Sequence, residues 1–365
     1  MRSSGQARRG SGRIGMWCAA LVVTVAAGLA IAPAAFAVGH YTRHNLVSDQ
    51  AGKADIRDPD LVNAWGLAFG PSTPAWVADN GTDVSTLYTG DVAGTPVMKF
   101  PLTVSIPGGA PTGQVFNGSS EFMVHAGGKS GPAQFIFSSE AGRITAWSKT
   151  VPPATKAHTV ASAKGAIFKG LAIANTKNGH RLYATDFHND RVDVWDGKFD
   201  RVHRKGAFRD RKLPGRYAPF GIEAVSGHIV VTYAKQDADA EDDVSGAHHG
   251  FVDVFDKQGN LLRRFASRGP LNSPWAIVKA PKGFGPAGGD LLIGNFGNGQ
   301  INAFDPKNGK FLGALDNKMG QKLKIDGLWA LEFGNGVIGT PQTLLFTAGP
   351  DDEAHGLFGD VVAGR

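Results

Sequence analysis

A short marker recurs along the chain at a nearly constant interval, and no other feature restricts the fold as much. It is an aromatic residue or Lys, then Gly or Ala, then Leu or Ile. The copies are Trp65-Gly66-Leu67, Lys169-Gly170-Leu171, Phe220-Gly221-Ile222, Trp275-Ala276-Ile277 and Trp329-Ala330-Leu331. Their middle residues stand 104, 51, 55 and 54 positions apart. The first gap is twice the others, and a weaker copy, Thr112-Gly113-Gln114-Val115, falls inside it. The result is six units of roughly fifty residues, a period that marks a repeat architecture.

Each marker is followed by a strand–turn–strand pattern. The clearest runs from Arg181 to Asp196, where Leu182 and Ala184, then Val192 and Val194, alternate with polar neighbours. Alternation of this kind is the period-2 signature of a half-buried hairpin. Similar hairpins are expected at Ala75–Tyr88, Ala133–Trp147, His228–Phe255, Asp290–Phe304 and Gln342–Phe358. Turns at Asp256–Asn260 and Asp305–Gly309 then lead into outer strands at Leu261–Phe265 and Phe311–Leu315. With 50 Gly and 20 Pro punctuating short apolar runs, the chain reads as all-β. Four-stranded units of this period predict a six-bladed β-propeller, in which radial stacking leaves only short edges.

The last unit has no fourth strand of its own, while Tyr41–Ser48 is a strand without a hairpin. It is therefore expected to close the last blade. In such a propeller the first strand of each blade lines the axis. The expected arrangement puts Gly66, Gly170, Gly221, Ala276 and Ala330 on the crowded axis. Trp65, Phe220, Trp275 and Trp329 would then pack between blades as core.

The hairpin Leu182-Tyr-Ala-Thr-Asp-Phe-His-Asn-Asp-Arg-Val-Asp-Val-Trp195 resembles the NHL repeat of six-bladed propellers. Four longer segments carry a closer resemblance, to a family of exported bacterial NHL-like propellers. They are Tyr233–Asp237, Phe296–Pro306, Ile325–Trp329 and Thr347–Phe358. This resemblance spans Asn45 to Gly359. It implies fold and export and brings no catalytic residues with it.

Residues 1–37 read as a signal peptide, leaving a single propeller domain at 38–365. Arg2, Arg8, Arg9 and Arg13 precede the uncharged run Met16–Ala32, and Ala35-Phe36-Ala37 is a small-x-small cleavage site. The formal net charge is +6, and the four arginines of this segment account for all but +2 of it. No nucleic-acid footprint remains. The only Cys, Cys18, also lies there. An exported chain without it gains nothing from disulfides and depends on burial and closure. A monomer in the periplasm or outside the cell, without stable membrane insertion, is expected.

In a propeller, the turns between second and third strands gather on one face with the blade-to-blade loops. That face would collect Asp79, Asn80, Asp186, His188, Asn189, Asp237, Asn295, Asn298, Asp351, Asp352, Glu353 and His355. Carboxylates, amides and imidazoles around one axis are suited to holding a ligand or acting as acid and base. Asp186, Asp237, Asp351 and Glu353 are candidate ligands for Ca2+ or Mg2+. Asp186, His188, Asp237, Asp351 and His355 are expected to share one site. Against this stands the ordinary role of Asp and Asn in capping turns. The acidic insertion Asp237–Asp243 lies on the same face. Glu223 and Glu332, each following a marker, are expected to line the channel from the fourth and sixth blades, across from one another.

No Gly-x-Ser-x-Gly elbow, His-Glu-x-x-His zinc motif or phosphate-binding Gly-Lys-Ser/Thr loop is present. Two function classes remain. The first is an exported binding or scaffold protein whose loop-rich face meets an extracellular small molecule, glycan or protein. The alternative is a divalent-metal-dependent lyase or lactone-type hydrolase using the same face.

Overall fold

The computed structural model describes residues 40–364. The expected signal peptide therefore lies outside the described residues. Six blade sheets follow one another along the chain, antiparallel except where the short strand Ile56–Arg57 pairs parallel with Tyr41–Ser48 at the edge of the last. Blade 1 is built from Ala64–Ala68, Ala75–Asp79 and Val84–Thr89, with an outer edge split between Met98–Lys99 and Val104–Ser105. Blade 2 uses Pro111–Phe116, Phe135–Ser139, Arg143–Trp147 and His158–Ser162. Blade 3 has three strands, Phe168–Thr176, Gly179–Asp186 and Arg191–Asp196. Blade 4 has Tyr217–Val225, His228–Lys235, Phe251–Phe255 and Leu261–Ser267, and blade 5 has Pro274–Lys279, Leu291–Asn295, Ile301–Phe304 and Phe311–Ala314. Blade 6 supplies Leu328–Phe333, Leu344–Ala348 and Leu357–Ala363. The first strand of each blade packs against the first strand of the next, and blade 6 returns to blade 1.

Tyr41–Ser48 pairs antiparallel with Leu357–Ala363, from Tyr41 opposite Ala363 to Ser48 opposite Leu357. The N-terminal strand thus closes the last blade, as expected. Its buried residues Tyr41, Leu46 and Val47 add apolar area to the clusters that join blades 5, 6 and 1. Burying a side chain of this size contributes about 1.5–3 kcal/mol. Two features were not anticipated. Blade 3 lacks a fourth strand among the described residues, and blade 2 carries an extra hairpin, Met123–Ala126 with Lys129–Pro132, between its first two strands.

Every inner strand carries an extra residue at its marker. The register slips between Ala64 and Leu67, Phe168 and Leu171, Pro219 and Ile222, Pro274 and Ala276, and Leu328 and Leu331. In blade 2 the same slip falls between Pro111 and Gln114. Such a bulge leaves a backbone N–H without a ladder partner and re-aims the neighbouring side chain. In blades 3, 4 and 6 a threonine on the second strand takes up the stranded group. Gly170 N–H donates to Thr185 Oγ1 at 2.7 Å, Gly221 N–H to Thr232 Oγ1 at 2.8 Å, and Ala330 N–H to Thr347 Oγ1 at 3.1 Å. Thr185 then donates to Phe220 O of blade 4 at 2.7 Å, and Thr347 donates to Trp65 O of blade 1.

The bulge also reverses the expected roles of the marker residues. A Cβ on Gly66 would lie 2.3 Å from Thr112 O, one on Gly170 2.9 Å from Phe220 O, and one on Gly221 2.0 Å from Trp275 O. The glycines therefore permit close approach of neighbouring blades rather than relieving the axis. The aromatic residues fill the axis instead. Trp329 of blade 6 stacks on Trp65 of blade 1 at 3.6 Å between centroids and on Phe296 of blade 5 at 4.0 Å. It also meets Phe220 of blade 4 at 5.9 Å. Blades 4 and 6 are not neighbours, so this contact runs across the centre. The rings form a plug.

Candidate functional site at the channel mouth

Above the plug, on the face of the second-to-third-strand turns, lies a polar network drawn from five blades. Its centre is Lys169, the one marker that has a cation where four others have a ring. Lys169 is 2% exposed, and its Nζ lies 5.2 Å from the centroid of the Trp65 ring. The ammonium contacts Glu140 Oε1 at 2.6 Å and Asp242 Oδ1 at 3.1 Å. These carboxylates raise its pKa against the lowering effect of burial. Asp242 belongs to the acidic insertion. That loop folds back through a bridge between Gln236 and Asp243, which brings Asp242 over the axis.

Asn63 and Asn80 extend the network across blade 1. Trp329 Nε1 donates to Asn63 Oδ1 at 3.0 Å, and Asn63 Nδ2 donates to Glu353 Oε2 at 2.5 Å and to Asn80 Oδ1 at 3.2 Å. Asn80 Nδ2 in turn donates to Glu140 Oε2 at 3.1 Å. Glu140, Glu241, Asp242 and Glu353 line an open depression of about 430 Å³ together with Ile167. Two of these four carboxylates, Glu140 and Asp242, contact the Lys169 ammonium. Burial, added to by the charges of Glu140 and Asp242, pushes the Glu353 carboxyl up to about 7 despite its bond to Asn63 and the nearby Lys169.

The backbone that presents Glu353 is strained. Asp351, Asp352 and Glu353 have φ of 57°, 53° and 65°, a left-handed turn without glycine. Each such residue costs on the order of 1–3 kcal/mol, and strain of this kind concentrates at functional sites. The turn is held by N–H groups of Glu353 and Ala354 bonded to Gly349 O and Asp351 O, and by Asp351 N–H to Asp326.

The remaining expected residues stand as follows. Asp186 is buried and accepts Asn189 Nδ2 at 2.9 Å and Arg191 at 2.8 Å, while Asn189 also donates to Gly165 O. Asp237 accepts Glu241 N–H at 3.0 Å inside its own loop. Asn295 donates to Pro270 O and Asn298. Asp79 is buried within blade 1, where it accepts Thr86 N–H at 2.9 Å and burial drives its pKa well up. His188, Asp351 and Asp352 are exposed. His355 bonds Asp49 of the segment after the N-terminal strand at 2.8 Å. Of the four residues considered for Ca2+ or Mg2+, Glu353 joins the network around Lys169, whereas Asp186 and Asp237 bond within their own turns. Asn63 and Glu140 are not among the residues expected from sequence at this site, Lys169 figured only as a marker residue, and Asp242 only as part of the acidic insertion Asp237–Asp243. The Lys in an aromatic marker position and the acidic insertion were the two signals that pointed there.

Glu223 and Glu332 lie at the other end of the channel, below the plug. They line the same small cavity with Gln114, Leu171 and Ile277, and they also line the opening beneath it. They are close neighbours rather than widely separated. Burial pushes Glu223 up to about 7, and burial followed by the charge of Glu223 pushes Glu332 up to about 8. Among the described residues no helix is long and apolar enough to cross a membrane.

No family model matches the chain. The fold is similar to that of a catalytically inactive virginiamycin B lyase from Staphylococcus aureus solved with quinupristin. The TM-score is 0.50 with 12% identity, over 89% of this chain and 99% of that one. Sequence relatives occur in Acanthamoeba polyphaga mimivirus. Uncharacterized protein L690 is 30% identical over 348 residues, or 89% of this chain and 87% of its own length. Uncharacterized protein R648 is 32% identical over 332 residues, or 87% of this chain and 78% of its own length. With that identity across most of both sequences, the chain belongs to the same family as R648 and L690 of this virus.

Proposed function

We propose that this propeller is an exported binding protein whose channel mouth takes up a small cationic ligand, such as an amine or amino sugar. The observation that carries the reading is the charge imbalance at the mouth. Glu140, Glu241, Asp242 and Glu353 face one depression against the single ammonium of Lys169. Lys169 is committed to Glu140 and Asp242, so Glu241 and Glu353 are left to meet a ligand. A mouth lined by one sign of charge concentrates ligands of the other sign. The plug of Trp65, Trp329 and Phe296 gives it a rigid floor.

A second reading is proton transfer at the same mouth, in a lyase or lactone-type hydrolase. Its support is Glu353, with a carboxyl near 7 on a strained turn. A group titrating near neutral pH suits an acid–base role. Calorimetric titration with putrescine, spermidine and glucosamine tests the first reading. Binding that weakens with salt and is lost in E353Q and E241Q supports it. Equal affinity in the variants, or none in the wild type, overturns it. Turnover of a lactone panel that disappears in E353Q supports the second. Export is tested by N-terminal sequencing of secreted product, which should begin near Val38.

A further inference from the structure

A second cluster of ionisable side chains lies away from the mouth, on the rim where the N-terminal strand closes the ring. His44 comes from that strand, Asp360 from the strand it pairs with, and Asp91 from the turn at the edge of blade 1. One ligand atom from each lies within 4.8 Å of the other two. We propose that His44, Asp91 and Asp360 bind one divalent transition ion of the Zn2+ type, clasping the N-terminal strand to blades 6 and 1.

Three observations carry this. First, the histidine is set up as a ligand. His44 Nε2 lies 3.2 Å from Asp55 Oδ1, while Nδ1 lies 3.4 Å from Asp360 Oδ2. With Nε2–H donating to Asp55, the Nδ1 lone pair points to the two carboxylates. A carboxylate that fixes the far nitrogen is the usual outer support of a metal-bound histidine. Second, Asp360 is 3% exposed and faces a like charge in Asp91. Among the described residues the His44 ring is its only ion-pair partner. A buried carboxylate needs a cation or hydrogen-bond donors, and an ion between these groups supplies the cation.

Third, Asp91 is held in place from both sides. It adopts φ 53°, its N–H bonds Thr95 O at 3.0 Å, and Gly90 N–H bonds Val337 O of blade 6 at 2.9 Å. One imidazole and two carboxylates match the N and O donors of Zn2+, leaving a fourth position for water. Donor atoms around such an ion stand about 3.3–3.5 Å apart, given ligand bonds of about 2.0–2.2 Å. A contraction of this cluster of at most about 1.5 Å achieves that. Two aspartates balance the two charges of the ion.

The test uses untagged protein stripped with a chelator and then titrated with ZnCl2 by calorimetry, alongside elemental analysis. The expected result is one Zn2+ per chain. At free Zn2+ of about 100 times Kd, the folded-to-unfolded ratio should rise about 100-fold. H44Q and D91N should abolish binding, and D55N should weaken it by about 10–100-fold. His44 is exposed and Asp91 half-buried, so apo melting temperatures of H44Q and D91N should stay near the wild type. If H44Q fails to fold, D91N and D55N carry the test. E353Q at the channel mouth should bind Zn2+ as the wild type does. No binding, binding that survives H44Q and D91N, binding lost in E353Q, or a preference for Ca2+ or Mg2+ would each overturn the proposal.

Discussion

Lys169 Nζ stands 2.6 Å from Glu140 Oε1, but the two side chains are buried to very different degrees, at 2% and 29% exposure. Removing one partner of a buried pair leaves the other uncompensated, at a cost of about 3–5 kcal/mol. The cost depends on which charge is left behind. E140Q leaves a buried ammonium with Asp242 alone, whereas K169M leaves carboxylates that water can reach. E140Q should therefore approach that range and K169M should cost less. Urea unfolding of the two variants checks the order.

The raised carboxyls predict a stability that falls as pH rises. Glu223, Glu332 and Glu353 hold their protons to about 7, 8 and 7 in the folded chain, against an ordinary 4.5. Between pH 4.5 and these values the folded state binds more protons than the unfolded state, so raising pH favours unfolding. The contribution is fully present below 4.5 and lost by about pH 8. E332Q should therefore gain stability relative to wild type between pH 6 and 9 and show no such gain at pH 4. Thermal melts across that range measure it. A flat difference between E332Q and wild type would count against the buried pair.

The N-terminal strand is anchored by more than its ladder. Tyr41 Oη donates to Phe284 O at 3.1 Å and accepts Ala287 N–H at 2.9 Å, tying blade 6 to blade 5. Y41F leaves both backbone groups unpaired, which costs about 1–3 kcal/mol. Deleting residues 40–48 should cost several kcal/mol of a typical total of about 5–15. Chemical denaturation of the two variants measures both losses, and an unchanged midpoint for the deletion would refute ring closure by this strand.

The threonines behind the bulges should behave as a set. T185V leaves Gly170 N–H and Phe220 O without their shared partner. Its cost should be about 1–3 kcal/mol, and T347V should match it. Valine keeps the shape, so the loss is one of hydrogen bonding. T185S restores the hydroxyl and should recover most of the stability.

Much of the architecture was legible because it repeats. The marker spacing and the alternating hairpins depend on local chain geometry, so six units and a closing strand at Tyr41–Ser48 followed from sequence. The inversion of the marker roles did not. Alternation assumes an unbroken pleat, and the extra residue in each inner strand breaks it, sending Trp65 and Trp329 to the axis and Gly66 and Gly221 to the next blade. Asp186, Asn189 and Asn295, expected as ligand-binding residues, spend their polar groups on their own turns and on adjoining blade-to-blade loops, Asn189 donating to Gly165 O and Asn295 to Pro270 O.

The sequence by itself determined the repeat, the strand order and the composition of each turn, because these rest on contacts between residues near one another in the chain. Only the tertiary structure decided which polar groups meet. Asn63, Glu140, Lys169, Asp242 and Glu353 span 290 positions between the first and last. His44 and Asp360 are likewise joined by closure of the ring. Contacts of this kind depend on the radial arrangement of blades, and no local pattern encodes which side chains that arrangement brings to a common axis or rim.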